Sequence, residues 1–436
     1  MRSLLPSAFA LVVSSALPSS LALGHPTRSP QAKPATSSAI EHLIVIVQEN
    51  HSFDSYFGRY CKAPAGSNPT CTSGPACCEA GPDREPGTGA APVALNDAEN
   101  TDYDPDHSEG CELDEIDGGK MDRFVSGTSC SDARNFAYAS RQSASVYWNL
   151  ADHFALADRY FQPLAGASSS NDMYLARAQY VFDNNNVEPD SLGSACGASP
   201  NPNRRTYSDP TVGDLLEAQG VTWAFYAEGY EATKLAAAHG SCPLPDPACG
   251  SNVQDYPCIY DPSDNPFQYY KSSRDNARTM KDFATWGADV SSGTLPAVSF
   301  IKPLGYKTEH PGSPISSGMA FVESVLQALN RSAFAANTLV LITFDESGGF
   351  FDHVAPPPPS PADGKAYGPR VPLIAVGPFA KQGLISHEQL EHSSIVRFIE
   401  WNWLAGATGQ LHGRDAIVGN LGSLLDPSKT KTQIPR

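Results

Sequence analysis

Leu43–Val47 is an unbroken apolar run of mostly β-branched residues, and polarity returns at once behind it with Gln48, Glu49, Asn50, His51 and Ser52. A run so short and continuous predicts a strand buried on both faces, as in a parallel sheet. Thr338–Phe344 repeats the pattern far downstream and ends in Asp345 and Glu346. Val221–Tyr226, Leu295–Ile301 and Val371–Val376 read as further strands. Helical spacing covers Val146–Tyr160, Met173–Tyr180 and Ser393–Trp403. Met319–Leu329 has a one-sided stripe of Val322, Val325, Leu326 and Leu329. Phe53–Tyr60 suits a short helix with Ser52 as its cap. Strands and helices alternate, which predicts a three-layer α/β/α sandwich. Two stretches break the alternation. Residues 61–118 and 184–265 are rich in Gly, Pro, Asp and Cys and predict irregular insertions, the first extending toward residue 130. The prolines from Pro356 to Pro361 predict a rigid loop.

Composition narrows the class. The chain has 436 residues, 41% of them apolar, enough for one large core carrying insertions. Its formal charge of −17 disfavours nucleic acid and anionic membranes as partners, and limits membrane contact to a transient one. A small anionic substrate stays open, because one metal ion inverts the local field. Residues 1–24 read as a secretory signal, with Arg2 ahead of the apolar stretch Leu4–Leu23, and 25–39 as a loose leader before a single domain over 40–436. The ten cysteines all lie between Cys61 and Cys258. Their even number predicts disulfides and an oxidising, extracellular setting. No C-x-x-C pair supports structural zinc, and the pairing is not deducible from spacing.

The chemistry is predicted at the two strand ends. In open α/β sheets ligands gather beyond the carboxyl ends of strands. If the two apolar strands are neighbours, Glu49, Asn50, Asp345 and Glu346 converge. Three carboxylates stay ionised together only when a cation holds them, and oxygen donors suit one divalent ion: magnesium, calcium, manganese or zinc. A serine-rich segment, Ser168–Asn171, precedes helix formers, a position suited to an anion or to a hydroxyl that carries a phosphoryl group.

These motifs carry a resemblance. Glu49–Gly58, EN-x-SFD-x-YFG, and Asp345–Pro357, DE-x-GGFFDHV-x-PP, resemble the two signatures of the bacterial-type phosphoesterase family. That family holds phosphatidylcholine-preferring, or non-specific, phospholipases C and acid phosphatase A. GGKMD-x-F, LPAVSFI-x-P, EHP and YGPRVPLI match it in order, over residues 41 to 404. The resemblance implies an alkaline-phosphatase-like fold with Glu49, Asn50, Asp345 and Glu346 as metal ligands. It implies a nucleophile in Gly166–Asp172, where Ser168 aligns. Both prolines and the arginine of the family pattern are missing there, so Ser169 and Ser170 remain alternatives. His107, His310 and His353 take positions implied to hold phosphoryl oxygens or protonate the leaving group. Asp352 is expected to orient His353, and Asn171, Asp352 and His392 are candidate substrate-binding positions.

The expected function is a secreted phospholipase C acting through a phosphoseryl intermediate. An acid phosphatase on soluble monoesters is the nearest alternative, and a non-catalytic binding protein of the same fold is another. A serine esterase lacks its G-x-S-x-G elbow.

Overall fold

An eight-stranded mixed sheet organises the chain in the computed structural model, which describes residues 35–197, 200–250 and 255–436. The expected signal segment, and the expected leader up to residue 34, lie outside the described residues. The sheet strands are β1 (His42–Gln48), β2 (Ala155–Ala157), β3 (Trp223–Ala227), β4 (Met280–Asp282), β5 (Val298–Lys302), β6 (Thr338–Phe344), β7 (Leu373–Val376) and β8 (Leu384–Ser386). Their spatial order is β8-β2-β7-β6-β1-β5-β3-β4. At the centre β1 runs parallel to β6, from His42 opposite Thr338 to Gln48 opposite Phe344. It also runs parallel to β5, from Leu43 opposite Val298 to Ile46 opposite Ile301. β7 lies antiparallel to β6, and β2 antiparallel to β7.

Every residue of β1, β3, β5 and β6 is buried, so both faces of the sheet centre are covered, as the unbroken apolar runs require. The chain also forms helices α1 (Phe53–Phe57), α2 (Glu109–Ile116), α3 (Ser145–His153), α4 (Ser168–Arg177), α5 (Val212–Ala218), α6 (Phe283–Ser292), α7 (Ile315–Asn330) and α8 (His392–Trp403). Six of them pack in two groups, α4 with α5 and α8, and α7 with α3 and α6. The architecture is the predicted α/β/α sandwich.

Two elements differ from expectation. The helix predicted over Val146–Tyr160 stops at His153, because Phe154 is extended and Ala155–Ala157 enters the sheet as β2. Ala155, Leu156 and Ala157, all fully buried, fit between β7 and β8 there, so packing decides the strand where propensity does not. The 61–118 stretch also holds regular structure, α2 and a helix over Asp97–Asp102 whose N–H groups on Ala98 and Glu99 donate to Asn96 Oδ1. The last leader residues are docked: Ser37 N donates to Asn402 O at 2.8 Å and Ala39 N to Thr430 O at 2.9 Å. Cysteines pair as Cys61–Cys78, Cys71–Cys77, Cys111–Cys130, Cys196–Cys242 and Cys249–Cys258, which stitches both insertions and agrees with the disulfide reading over zinc.

Ile44 sits fully buried in the strand with a neighbour on each side. Ile44→Ala should lower stability by about 2–5 kcal/mol in urea unfolding, since the rigid sheet cannot collapse into the cavity.

Candidate active site

The register of the two central strands does the assembly. Gln48 faces Phe344, so the next residues, Glu49 and Asp345, leave the sheet side by side. Asn50 N donates to Asp345 Oδ1 at 3.1 Å and Asp345 N to Gln48 O at 3.0 Å, which locks the two strand ends together. Asn50 adopts the left-handed backbone region, φ 61°, and thereby turns its side chain back over the strand ends. Gly348, φ 65°, makes room for it: a Cβ there would lie 2.4 Å from Asn50 O. Asp345 Oδ1 also accepts from Glu346 N, and Glu346 Oε2 from Gly348 N.

Ser168 opens α4 and faces this corner. Its Oγ donates to Asn50 Oδ1 at 3.4 Å. Its neighbours lie differently. Ser170 Oγ donates to Ala167 O, and Ser169 N donates to Asn185 Oδ1 while its hydroxyl is buried without a hydrogen-bond partner. Among the three serines, Ser168 is the one whose hydroxyl meets the strand-end cluster. Asn171 does not face a ligand. Its Oδ1 accepts from Leu164 N, and its Nδ2 donates to Gly166 O and Ala167 O, so it shapes the turn into α4. Gly166, φ 126°, completes that turn, where a Cβ would lie 2.7 Å from Asn184 Oδ1.

Three residues that the sequence reading did not single out belong to the corner. Lys302 ends β5 with Nζ 2.9 Å from Glu49 Oε1 and 3.8 Å from Asp172 Oδ2. Asp172 follows the serine segment and is buried on α4. Tyr256 donates its hydroxyl to Glu49 Oε2 at 3.1 Å. A lysine as the last residue of a buried strand was the one available cue.

Electrostatics define what the corner lacks. Burial drives the carboxyls of Asp172, Asp345 and Glu346 upward, and mutual repulsion adds to it. Burial acts on Glu49 in the same sense, but Lys302 and His310 outweigh it and hold Glu49 below its usual range. Burial lowers Lys302, and Asp172 and Glu49 more than offset that, so it stays charged. Asp345 Oδ2, Glu346 Oε1 and both oxygens of Asp172 are buried with no hydrogen-bond donor. Unpartnered buried carboxylate oxygens are costly, and a hard divalent cation is the partner that matches them. The donor set of the corner is oxygen throughout, the kind that a hard divalent cation takes.

Two histidines border the corner. His107 Nδ1 lies 2.8 Å from Pro105 O and His310 Nδ1 2.6 Å from Pro311 O. A carbonyl only accepts, so each Nδ1 carries the proton and each Nε2 is left for chemistry. His107 Nε2 lies 3.3 Å from Asn50 Nδ2 and 3.6 Å from Glu346 Oε1. The two rings meet edge to face at 6.0 Å, with Tyr256 against His310 at 5.3 Å. Glu309, buried and at φ 73°, sets the turn that presents His310: its carboxylate accepts from the hydroxyls of Tyr56 and Tyr147. Its backbone oxygen accepts from Asn100 Nδ2.

The remaining predicted positions lie elsewhere or do other work. His353 is clamped between carboxylates, Nδ1 2.7 Å from Asp54 Oδ2 and Nε2 3.0 Å from Glu79 Oε2, leaving neither nitrogen for a substrate. Asp54, not Asp352, orients it. Asp352 accepts from Arg370 Nε at 2.9 Å, and Arg370 Nη2 also donates to Asp54 at 3.0 Å. Asp54, Asp352 and His353 have ligand atoms within 4.8 Å of one another, as a metal site would. The buried Arg370 guanidinium already neutralises them, so this cluster reads as an ion-pair lock. His392 is fully buried between Tyr160 and the Asp345 carbonyl, with Nδ1 2.8 Å from Tyr160 Oη and Nε2 2.7 Å from Asp345 O. Burial lowers it to about 3, so it is neutral, accepts from Tyr160 and donates to Asp345, and anchors the backbone of a site residue.

A profile of the phosphoesterase family matches residues 40–404. Non-hemolytic phospholipase C of Burkholderia pseudomallei is 28% identical over 83% of this chain and 55% of its own length. The chain thus spans little more than half of that relative. Phospholipase C B of Mycobacterium tuberculosis is 28% identical over 92% of this chain and 82% of its own length. Among solved structures, an alkaline phosphatase superfamily protein from Vibrio parahaemolyticus aligns with a TM-score of 0.35 and 10% identity, over 62% of this chain and 63% of that one.

Burial lowers His353, and Asp54 outweighs it to raise the ring to about 9. That folded value lies above the unfolded one near 6.5, so the stabilisation is complete below pH 6.5 and lost as pH rises through 9. His353→Gln should therefore cost on the order of 3 kcal/mol at pH 6 and much less at pH 9.5, read by urea unfolding at both values. Equal losses would show that the ring carries no charge in the folded protein.

Proposed function

The chain belongs to the phosphoesterase family, and on that premise we propose that it is a secreted phospholipase C that releases diacylglycerol and a phosphorylated head group. The observation that carries the reading is the Ser168 hydroxyl on Asn50, at a helix mouth, beside buried carboxylate oxygens that lack donors. The two phospholipases C that match the chain support the substrate class. Five disulfides support export, and among the described residues no helix is long and apolar enough to cross a membrane.

Glu49, Asn50, Asp345 and Glu346 would hold the divalent ion, and Lys302 faces Glu49 and Asp172 beside them. When bound, such an ion neutralises phosphoryl charge and eases loss of the serine proton. The rest falls to the chain. Ser168 Oγ attacks phosphorus, the bond from phosphorus to the glycerol oxygen breaks, and the phosphoryl group, still carrying its head group, remains on Ser168 at the first residue of α4. The helix N-terminus favours the negative charge there. The Nε2 of His107 or His310, left unprotonated by the carbonyl that Nδ1 donates to, takes the Ser168 proton during the attack and delivers it to the departing alkoxide. The same nitrogen then takes a proton from water as the water attacks the phosphoryl group on Ser168, and passes it to Ser168 Oγ as the phosphorylated head group leaves. Phosphoryl transfer needs placement and charge neutralisation more than strong bases, and this corner is built from those.

Ser168→Ala should lower phosphatidylcholine hydrolysis by roughly a thousandfold or more, while Ser169→Ala and Ser170→Ala stay within about tenfold of the parent. Diacylglycerol release is the readout, with 4-nitrophenyl phosphate assayed beside it. Strong monoester turnover without diacylglycerol would make the protein an acid phosphatase, and full activity in Ser168→Ala would remove the nucleophile. Dialysis against EDTA should abolish turnover, and re-addition of a divalent ion should restore it.

A further inference from the structure

Lys302 is a buried ammonium in a place where oxygen ligands gather. It sits at the carboxyl end of β5, next to β1, with its side chain 4% exposed. Glu49 Oε1 at 2.9 Å and Asp172 Oδ2 at 3.8 Å flank it, and neither contact has hydrogen-bond geometry. The corner holds four buried carboxylates, Glu49, Asp172, Asp345 and Glu346. They divide in space between two partners. Glu49 and Asp172 lean on the lysine. Asp345 Oδ2 and Glu346 Oε1, flanking Asn50, meet no donor. One divalent ion and one ammonium bring three positive charges against these four, and the chain itself supplies the ammonium.

We propose that the Lys302 ammonium is a built-in cation that takes the place of a second metal ion and so restricts the phosphoester site to a single divalent ion. The inference rests on the metal reading given above, but assigns a role to a residue that reading does not use. Lysine suits the task because its ammonium is a compact point charge on a long stem, and its donors rotate to face two carboxylates at once. Its strand position matters equally. β5 hydrogen-bonds to β1, so the ammonium moves with Glu49 and not with the loops. Lys302 is thus a positioning residue for Glu49 and Asp172. It acts on the metal count through the oxygens it occupies.

The test reads metal content, not turnover. The full-length parent, Lys302→Met and Lys302→Arg are equilibrated with Mn²⁺, and bound ion per chain is measured by elemental analysis with electron paramagnetic resonance. The parent and Lys302→Arg should bind one ion. Lys302→Met should bind two, with the broadened signal of neighbouring manganese ions, or bind its single ion at least tenfold more tightly. Lys302→Met with the stoichiometry and affinity of the parent overturns the role of Lys302 and leaves the metal site standing. A parent that takes up no Mn²⁺ overturns the metal site, and this inference with it. If Lys302→Met does not fold, Lys302→Met/Asp172→Asn removes one charge of each sign and should fold and bind one ion. A double variant that also fails to fold overturns the pairing of Lys302 with Asp172.

Discussion

The parallel pairing of two apolar strands, with Gln48 opposite Phe344, is the constraint on which the candidate site depends. A one-residue slip in that register would turn every side chain to the other face of the sheet and separate Glu49 from Asp345. Complete burial of both strands makes the slip prohibitive, because each register position is packed on two faces. The hydrophobic core therefore does more than stabilise the fold. It sets the distance between acidic groups that would otherwise repel each other, and holds them at the sheet edge where ligands enter.

Charge placed under such constraint needs compensation, and the molecule handles it in two ways. One cluster is closed: Asp54, Asp352 and His353 are locked by Arg370 and Glu79, with donors and acceptors matched throughout. The other is open: Asp172, Asp345 and Glu346 keep buried oxygens without donors, and Lys302 covers only part of the charge. Both clusters include residues of the same C-terminal motif, yet one behaves as a rivet and the other as a site. The difference lies in whether a buried guanidinium is present to finish the pairing.

Around the open cluster, polar residues spend their hydrogen bonds on geometry. His392 fixes the Asp345 backbone, Asn171 fixes the turn before Ser168, and Glu309, bonded to two tyrosines, fixes the turn before His310. None of these contacts needs a substrate. Each holds an adjacent group that the proposed chemistry uses, the kind of support that keeps a site within fractions of an ångström.

Local pattern determined a good deal by itself. The unbroken runs Leu43–Val47 and Thr338–Phe344 are strands because no other short element hides so many β-branched residues from water, and the abrupt polarity after each marks the functional edge. The motifs drew Glu49, Asn50, Asp345, Glu346, His107 and His310 into one group, and the chain does bring them to one corner. Tertiary structure alone decided the rest. Ala155–Ala157 became a strand through packing, against its own weak preference. His353 and Asp352 were turned away from the corner by Asp54 and Arg370, and His392 and Asn171 were consumed by the backbone. Lys302, Asp172 and Tyr256 joined the site from separate segments. A linear pattern reports which residues are polar and where a strand ends. Whether a polar group faces a ligand depends on which partner reaches it first across the fold, and those partners lie hundreds of residues away in the chain, as the separations of 299 for His353–Asp54 and 207 for Tyr256–Glu49 show.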